Sequence, residues 1–179
     1  MSFFDDTPIL FALRVVLALI FVTAAVGQMR HWDAFLGVLQ NYKLLPKWAL
    51  APAQRLLPLA EFTVGIGFIA VPEVAAPIGS GLLLVFAAAM AVNLKRGRAY
   101  IDCGCHQTTL SQKLRWALVV RNCILAALAV VTVMPRMLEA EVVIVGGAAG
   151  LLLFITYLAM NSLLAIGPIE SRDIRISGI

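Results

Sequence analysis

Five stretches of this chain, roughly residues 8–28, 49–71, 75–94, 116–134 and 142–166, are apolar over the ~20 residues that a helix needs to cross a hydrocarbon core. That pattern leaves few folds open. Inside a bilayer every backbone group must be satisfied within its own segment, so separate spanning stretches are helical. Hydrophobic residues make up 61% of the 179 residues and charged residues only 13%, too lopsided for a soluble core of this size to hide. The expectation is an all-α, polytopic membrane helix bundle with about five transmembrane helices, forming a single integral membrane domain over residues 1–179.

The second stretch is the least regular of the five. Pro52 and Pro58 interrupt its hydrogen-bond ladder and Arg55 lies between them, so a kinked span is expected. The second and third stretches meet at a tight turn near Pro72 and Glu73, the fourth and fifth around residues 135–141. The long connections, 29–48 and 95–115, fall on one side if there are five spans. In the first of these, Trp32, Phe35, Leu36 and Leu39 recur at helical spacing, the mark of an amphipathic helix lying in the membrane interface.

The net charge of +4 does not point to nucleic acid, because no basic, aromatic-lined surface motif accompanies it. Membrane lipid is the expected surroundings. Lys and Arg crowd one side: Arg30, Lys43, Lys47, Arg55, Lys95, Arg96, Arg98, Lys113, Arg115, Arg172 and Arg175. The other side carries Arg136, with Arg14 two turns into the first helix and free to snorkel. By the positive-inside rule the N-terminus is periplasmic and the C-terminus cytoplasmic in a bacterial inner membrane, with the long loops cytoplasmic. The first apolar stretch follows Asp5 and Asp6 rather than basic residues, so a retained helix is expected rather than a cleaved signal.

The chemistry-bearing segment is Asp102-Cys103-Gly104-Cys105-His106. Two thiols separated by one glycine can close a small strained disulfide, the glycine supplying the unusual backbone angles. A strained disulfide exchanges readily. Lys95, Arg96, Arg98 and His106 favour the attacking thiolate, and Asp102 opposes it. The same residues read as a metal site would offer three soft ligands, Cys103, Cys105 and His106, with no second ligand cluster in the chain. A third reading makes them two small loop residues without redox work. Cys123, in the fourth stretch, is expected to pack as a small hydrophobe.

Ionisable and amide groups inside spans are costly and face the bundle interior. Glu61 in the second stretch, and Arg121 and Asn122 in the fourth, are such groups. Counting residues from the polar edge at ~1.5 Å each puts Glu61 and Arg121 at similar depth, so an ion pair beneath the dicysteine loop is expected.

The string Asn93-Leu94-Lys95-Arg96-Gly97-Arg98, then Asp102-Cys103-Gly104-Cys105, then Leu114 to Arg121-Asn122, resembles the methylamine utilisation protein MauE family. The segment from Phe35 to Pro46, followed by Glu61, is similar to the broader DoxX-like membrane proteins, whose likeness implies a four-helix core plus one further helix here. The resemblance implies processing, transport or disulfide maturation of the periplasmic methylamine dehydrogenase small subunit, with the thioredoxin-like protein MauD as partner. Cys103 and Cys105 match the family's dicysteine, and Glu61, Arg121 and Asn122 its intramembrane polar positions. His106 departs from the small or apolar residue expected there, which keeps the metal reading open. No resident cofactor is implied; a quinone-linked redox role is the alternative that the DoxX-like resemblance raises. A periplasmic substrate and cytoplasmic cysteines stand in tension: either reductant crosses the membrane, or the charge-based topology is wrong, as it would be if the second stretch were re-entrant.

Overall fold

The computed structural model of the chain describes residues 8–104, 113–133 and 140–166. These form six helices: α1 (Pro8–Arg30), α2 (Trp32–Tyr42), α3 (Lys47–Ala70), α4 (Pro72–Lys95), α5 (Trp116–Val131) and α6 (Ala140–Ile166). No strand occurs among the described residues, only an isolated bridge between Asp102 and Lys113. The all-α polytopic bundle expected from the apolar stretches is therefore what the chain forms. The helices α1, α4 and α6 are long and apolar enough to cross a membrane, while α5 is apolar but only 16 residues long. α3 has 24 residues, with Gln54, Arg55 and Glu61 diluting its apolar run.

Close contacts at glycines fix how the helices run. A Cβ on Gly65 of α3 would lie 2.7 Å from the Val22 side chain and 3.1 Å from the Ala18 carbonyl of α1. Further along the same seam Gln28 meets Glu61, and Gln54 Nε2 donates to the Trp32 carbonyl at 2.9 Å. Numbers fall on α3 as they rise on α1, so the two are antiparallel. α3 and α4 are also antiparallel, with Gly67 against Ala75 and Gly79 against Phe68. On α6, Gly146 abuts the Pro8 carbonyl and Phe11, and Gly150 abuts the Ala12 carbonyl and Val15. Here both numbers rise together: α1 and α6 are parallel. Small residues at these seams let backbones approach, which is how helices associate where lipid tails are as apolar as leucine.

A parallel first and last helix requires an odd number of traverses between the bundle's two ends. α1, α3, α4, α5 and α6 supply five, with α2 lying outside the count.

Local chemistry explains the element ends. α2 stops at Lys43, whose φ of +49° is left-handed. Val71 closes α3 and opens α4, and Pro72 at the first position of α4 costs no hydrogen bond there. α3 runs unbroken through Pro52 and Pro58, the latter fully buried. α5 ends at Val131, three residues short of the expected 134.

The main core joins Leu17 and Phe21 of α1, Val64 and Phe68 of α3, Ala76 and Leu83 of α4, Leu125 and Ala129 of α5 and Phe154 of α6. Arg14 belongs to the same buried face as Leu10, Leu17 and Phe21, and at 2% exposure it does not snorkel as the sequence suggested. Its spacing from Leu10 and Leu17 turns it inward with them. Cys123, expected to pack, instead lies on the exposed side of α5. Most of the residues outward on α3 to α6 are Leu, Ile, Val and Ala, as lipid-facing surfaces are.

Candidate functional site

Two long connections meet at one end of the bundle. α4 ends in a Schellman cap: Gly97 takes φ +73°, its N–H donates to the Leu94 carbonyl at 3.0 Å, and Arg98 N–H donates to the Asn93 carbonyl at 3.0 Å. The chain then folds back so that Leu114 N–H donates to the Ile101 carbonyl at 2.9 Å, beside the Asp102–Lys113 bridge. This short stem sets Leu114 beside Ile101. Its apolar side, Ile101 and Leu114, closes a second core cluster with Met90, Leu118 and Cys103.

Cys103 is 6% exposed and its Sγ lies 3.7 Å from Met90 Sδ. Its carbonyl accepts a hydrogen bond from the Tyr42 hydroxyl at 3.1 Å. Gly104 takes φ +74°, and a Cβ there would stand 2.8 Å from Val38 Cγ1. α2 thus holds the Cys103-Gly104 backbone from one side while α4 holds the sulfur from the other. The glycine is required twice over, for its angle and for its closeness to α2. Cys105 and His106 lie outside the described residues. Among the described residues, no three His, Cys, Asp or Glu side chains are gathered to hold a metal ion.

Beneath Cys103 lies a cavity of about 390 Å³ between α2, α3 and α4, reaching the end of α1. Its walls are apolar: Phe35, Leu39, Leu57, Phe86 and Met90 among others. Polar groups enter at two places, Cys103 and Gly104 at one, and Gln28 with Glu61 at the other. Gln28 Nε2 donates to Glu61 Oε1 at 3.2 Å, both side chains being buried. Leu44, Leu45, Leu56 and Val85 also line the cavity and are exposed, so it opens sideways between α2 and the spans.

Glu61 faces a second, small cavity of about 30 Å³, shared with Arg121, Asn122 and Tyr157. Arg121 donates from Nη1 to Asn161 Oδ1 and from Nε and Nη2 to Asn122 Oδ1 at 3.4 and 3.3 Å. Its guanidinium carbon sits 5.9 Å from the Tyr157 ring centre, within cation–π range. The three intramembrane polar residues singled out from the sequence therefore surround one space. The space is wide enough for about one water molecule.

The sequence reading passed over Gln28, Asn161, Tyr157 and Met90. Gln28 and Asn161 carried a signal, since an amide in an apolar helix is as conspicuous as a charge. Gln28, at the end of the first apolar stretch, lies in the last turn of α1 and is buried there. Nothing in the sequence pairs Met90 with Cys103, which depends on how the loop folds back.

The family model described as methylamine utilisation protein MauE matches residues 6–135, the stretch that holds α1 to α5. The chain is 43% identical over 155 residues to methylamine utilization protein MauE of Paracoccus denitrificans, covering 84% of this chain and 82% of that one. It is 35% identical over 152 residues to the protein of that name from Methylorubrum extorquens, covering 80% and 81%. With that of Paracoccus versutus it shares 40% over 121 residues, 66% of this chain and 64% of the other. No solved structure matches the chain.

Proposed function

Given that the chain belongs to the MauE family, we propose that it serves methylamine utilisation as the membrane thiol–disulfide component that matures the methylamine dehydrogenase small subunit, with Cys103 and Cys105 as the exchanging pair. The observation that carries this reading is the setting of Cys103. Its sulfur is shielded by Met90, its backbone is pinned by Tyr42, and its chain continues within one residue to a second cysteine. Cysteines with no task are rarely given so specific a frame, and Gly104 supplies the backbone angle that a closely spaced pair needs.

In the exchange, the thiolate of one cysteine attacks a sulfur of the partner's disulfide and expels a thiolate. The second cysteine then attacks the mixed disulfide, leaving a Cys103–Cys105 disulfide and a reduced partner. The reverse sequence oxidises the partner. A thioredoxin-like protein such as MauD has the chemistry for this exchange. The protein's place is the bacterial inner membrane, and the Lys and Arg bias around the long connections favours a cytoplasmic position for the cysteine end.

Replacing either cysteine is the direct test: Cys103→Ser and Cys105→Ser should each abolish accumulation of mature small subunit while membrane levels of the protein stay normal. Mature subunit at ordinary levels in either variant would refute the mechanism. Labelling of Cys103 in intact cells by a membrane-impermeant maleimide, against a Cys123→Ala background, settles the side. Protection until the cells are opened supports the cytoplasmic placement and a protein that carries reductant across the membrane. Labelling from outside puts the pair beside the maturing subunit.

A further inference from the structure

We infer that Tyr42 is a positioning residue for Cys103: its hydroxyl latches one end of α2 over the thiol, and the sulfur meets a protein partner only when that end of α2 lifts. The inference deepens the thiol-exchange reading, on which the latch's purpose rests, by naming what controls access to the sulfur.

Access comes first. In disulfide exchange one sulfur must come into contact with another, so a covered thiol exchanges slowly. Cys103 is 6% exposed, with Met90 Sδ 3.7 Å from its sulfur. A disulfide carried on another protein does not reach a sulfur set so deep. Exchange at Cys103 therefore needs a second arrangement of its walls.

One wall is fixed and the other is not. On the α4 and α5 side, Met90, Leu114 and Leu118 are each 1% exposed and pack with Cys103 in one cluster. On the α2 side, Phe35 is the one buried residue of the helix's eleven, and the cavity of about 390 Å³ lies beneath it. Segments with few buried apolar contacts open at the lowest cost. Val38, Leu39 and Tyr42 line that cavity together with Cys103 and Gly104, so lifting α2 turns the cavity wall that holds Cys103 into surface.

The two ends of α2 are held differently. At its start Gln54 Nε2 donates to the Trp32 carbonyl at 2.9 Å and Phe35 is buried, which makes that end the pivot. Helical spacing puts Val38, Leu39 and Tyr42 on the face of Phe35. At the far end the Tyr42 hydroxyl donates to the Cys103 carbonyl at 3.1 Å, and Val38 bears on Gly104. The next residue, Lys43, holds a left-handed φ of +49°, which a lysine adopts at a cost, and Leu44 and Leu45 beyond it are exposed. Lifting this end lets Lys43 leave that angle, and the Tyr42 hydrogen bond opposes the release. Because the bond falls on a backbone carbonyl, it governs how often the thiol is open rather than how acidic it is.

The experiment uses the full chain in phospholipid nanodiscs, with Cys105→Ser and Cys123→Ala leaving Cys103 as the one thiol, and follows its alkylation by iodoacetamide from pH 6 to 10. Tyr42→Phe removes one hydrogen bond and should speed alkylation about two- to tenfold at every pH, with the same pH midpoint and an unchanged helical melt. Val38→Ala, which frees Gly104, should act in the same direction. A cysteine placed at Leu118 in a Cys103→Ser background reports the fixed wall, and Tyr42→Phe should leave its rate alone. Unchanged alkylation of Cys103 in both α2 variants overturns the inference. So does a shifted pH midpoint, which would make Tyr42 a group that tunes the thiol, and so does equal acceleration at position 118, which would make it a prop of the whole fold. Exchange with a thioredoxin-like protein is measured separately, with all cysteines present. If exchange proceeds but neither α2 variant alters alkylation, the latch fails while the thiol-exchange reading stands. If the α2 variants speed alkylation but no exchange occurs, the latch stands and the thiol-exchange reading fails.

Discussion

Gly104 sits where any other residue would be strained, because a left-handed φ and a 2.8 Å approach to Val38 coincide there. Gly104→Ala should therefore cost ~1–3 kcal/mol of loop stability. Faster maleimide labelling of Cys103 would report the loosened loop. Adding Val38→Ala restores the space but not the angle, so only part of the loss should return; full recovery would mean the angle carries no strain. Glu61 and Arg121 pose a different question. They border one small cavity, and the ion pair expected from their equal depth is open to test. Glu61→Arg and Arg121→Glu should each destabilise the protein, and the double exchange should recover a large part of the thermal stability. An additive double variant would rule the pair out. At this scale the sequence was informative where a residue was chemically out of place, as with Glu61, Arg121 and Asn122. It was uninformative where a role depends on a neighbour brought in by the fold, as with Met90 and Tyr42. Cys105 and His106, the last two residues of the motif, lie outside the described residues.

Among the elements, the apolar stretches marked the helices to within a few residues, since a bilayer permits little else. The amphipathic spacing of Trp32, Phe35 and Leu39 likewise marked α2. What the spacing does not contain is α2's task, which follows from Tyr42 and Val38 reaching the Cys103 loop. The same holds for α6, whose apolar face packs chiefly on α1. Its polar attachment to α5 runs from Asn161 to Arg121. Removing that amide takes an acceptor from a part-buried guanidinium, so Asn161→Leu should cost ~1–3 kcal/mol and lower the melting temperature. The outward-facing Leu163→Ala, 70% exposed, serves as the control and should leave the melt in place. Equal effects of the two would argue that Asn161 matters only as bulk.

For the molecule as a whole, the parallel course of α1 and α6 predicts an odd count of membrane crossings. Reporters placed before Pro8 and after Ile166 should appear on opposite sides of the membrane. A reporter in the α2–α3 connection should share the side of the α4–α5 connection, because the Tyr42–Cys103 contact joins those two loops. Reporters before Pro8 and after Ile166 on the same side would exclude five traverses. The glycine seam of α6 also sets a schedule for making the protein. α1 leaves the ribosome before α6, and the α6 partner for its Pro8–Val15 face follows more than a hundred residues later. Until Gly146 and Gly150 arrive, that face of α1 waits against lipid while the helices between them assemble. Closing so long a loop is slow for the same reason that distant contacts are slow in any fold. The outermost helix is thus the one that finishes the structure.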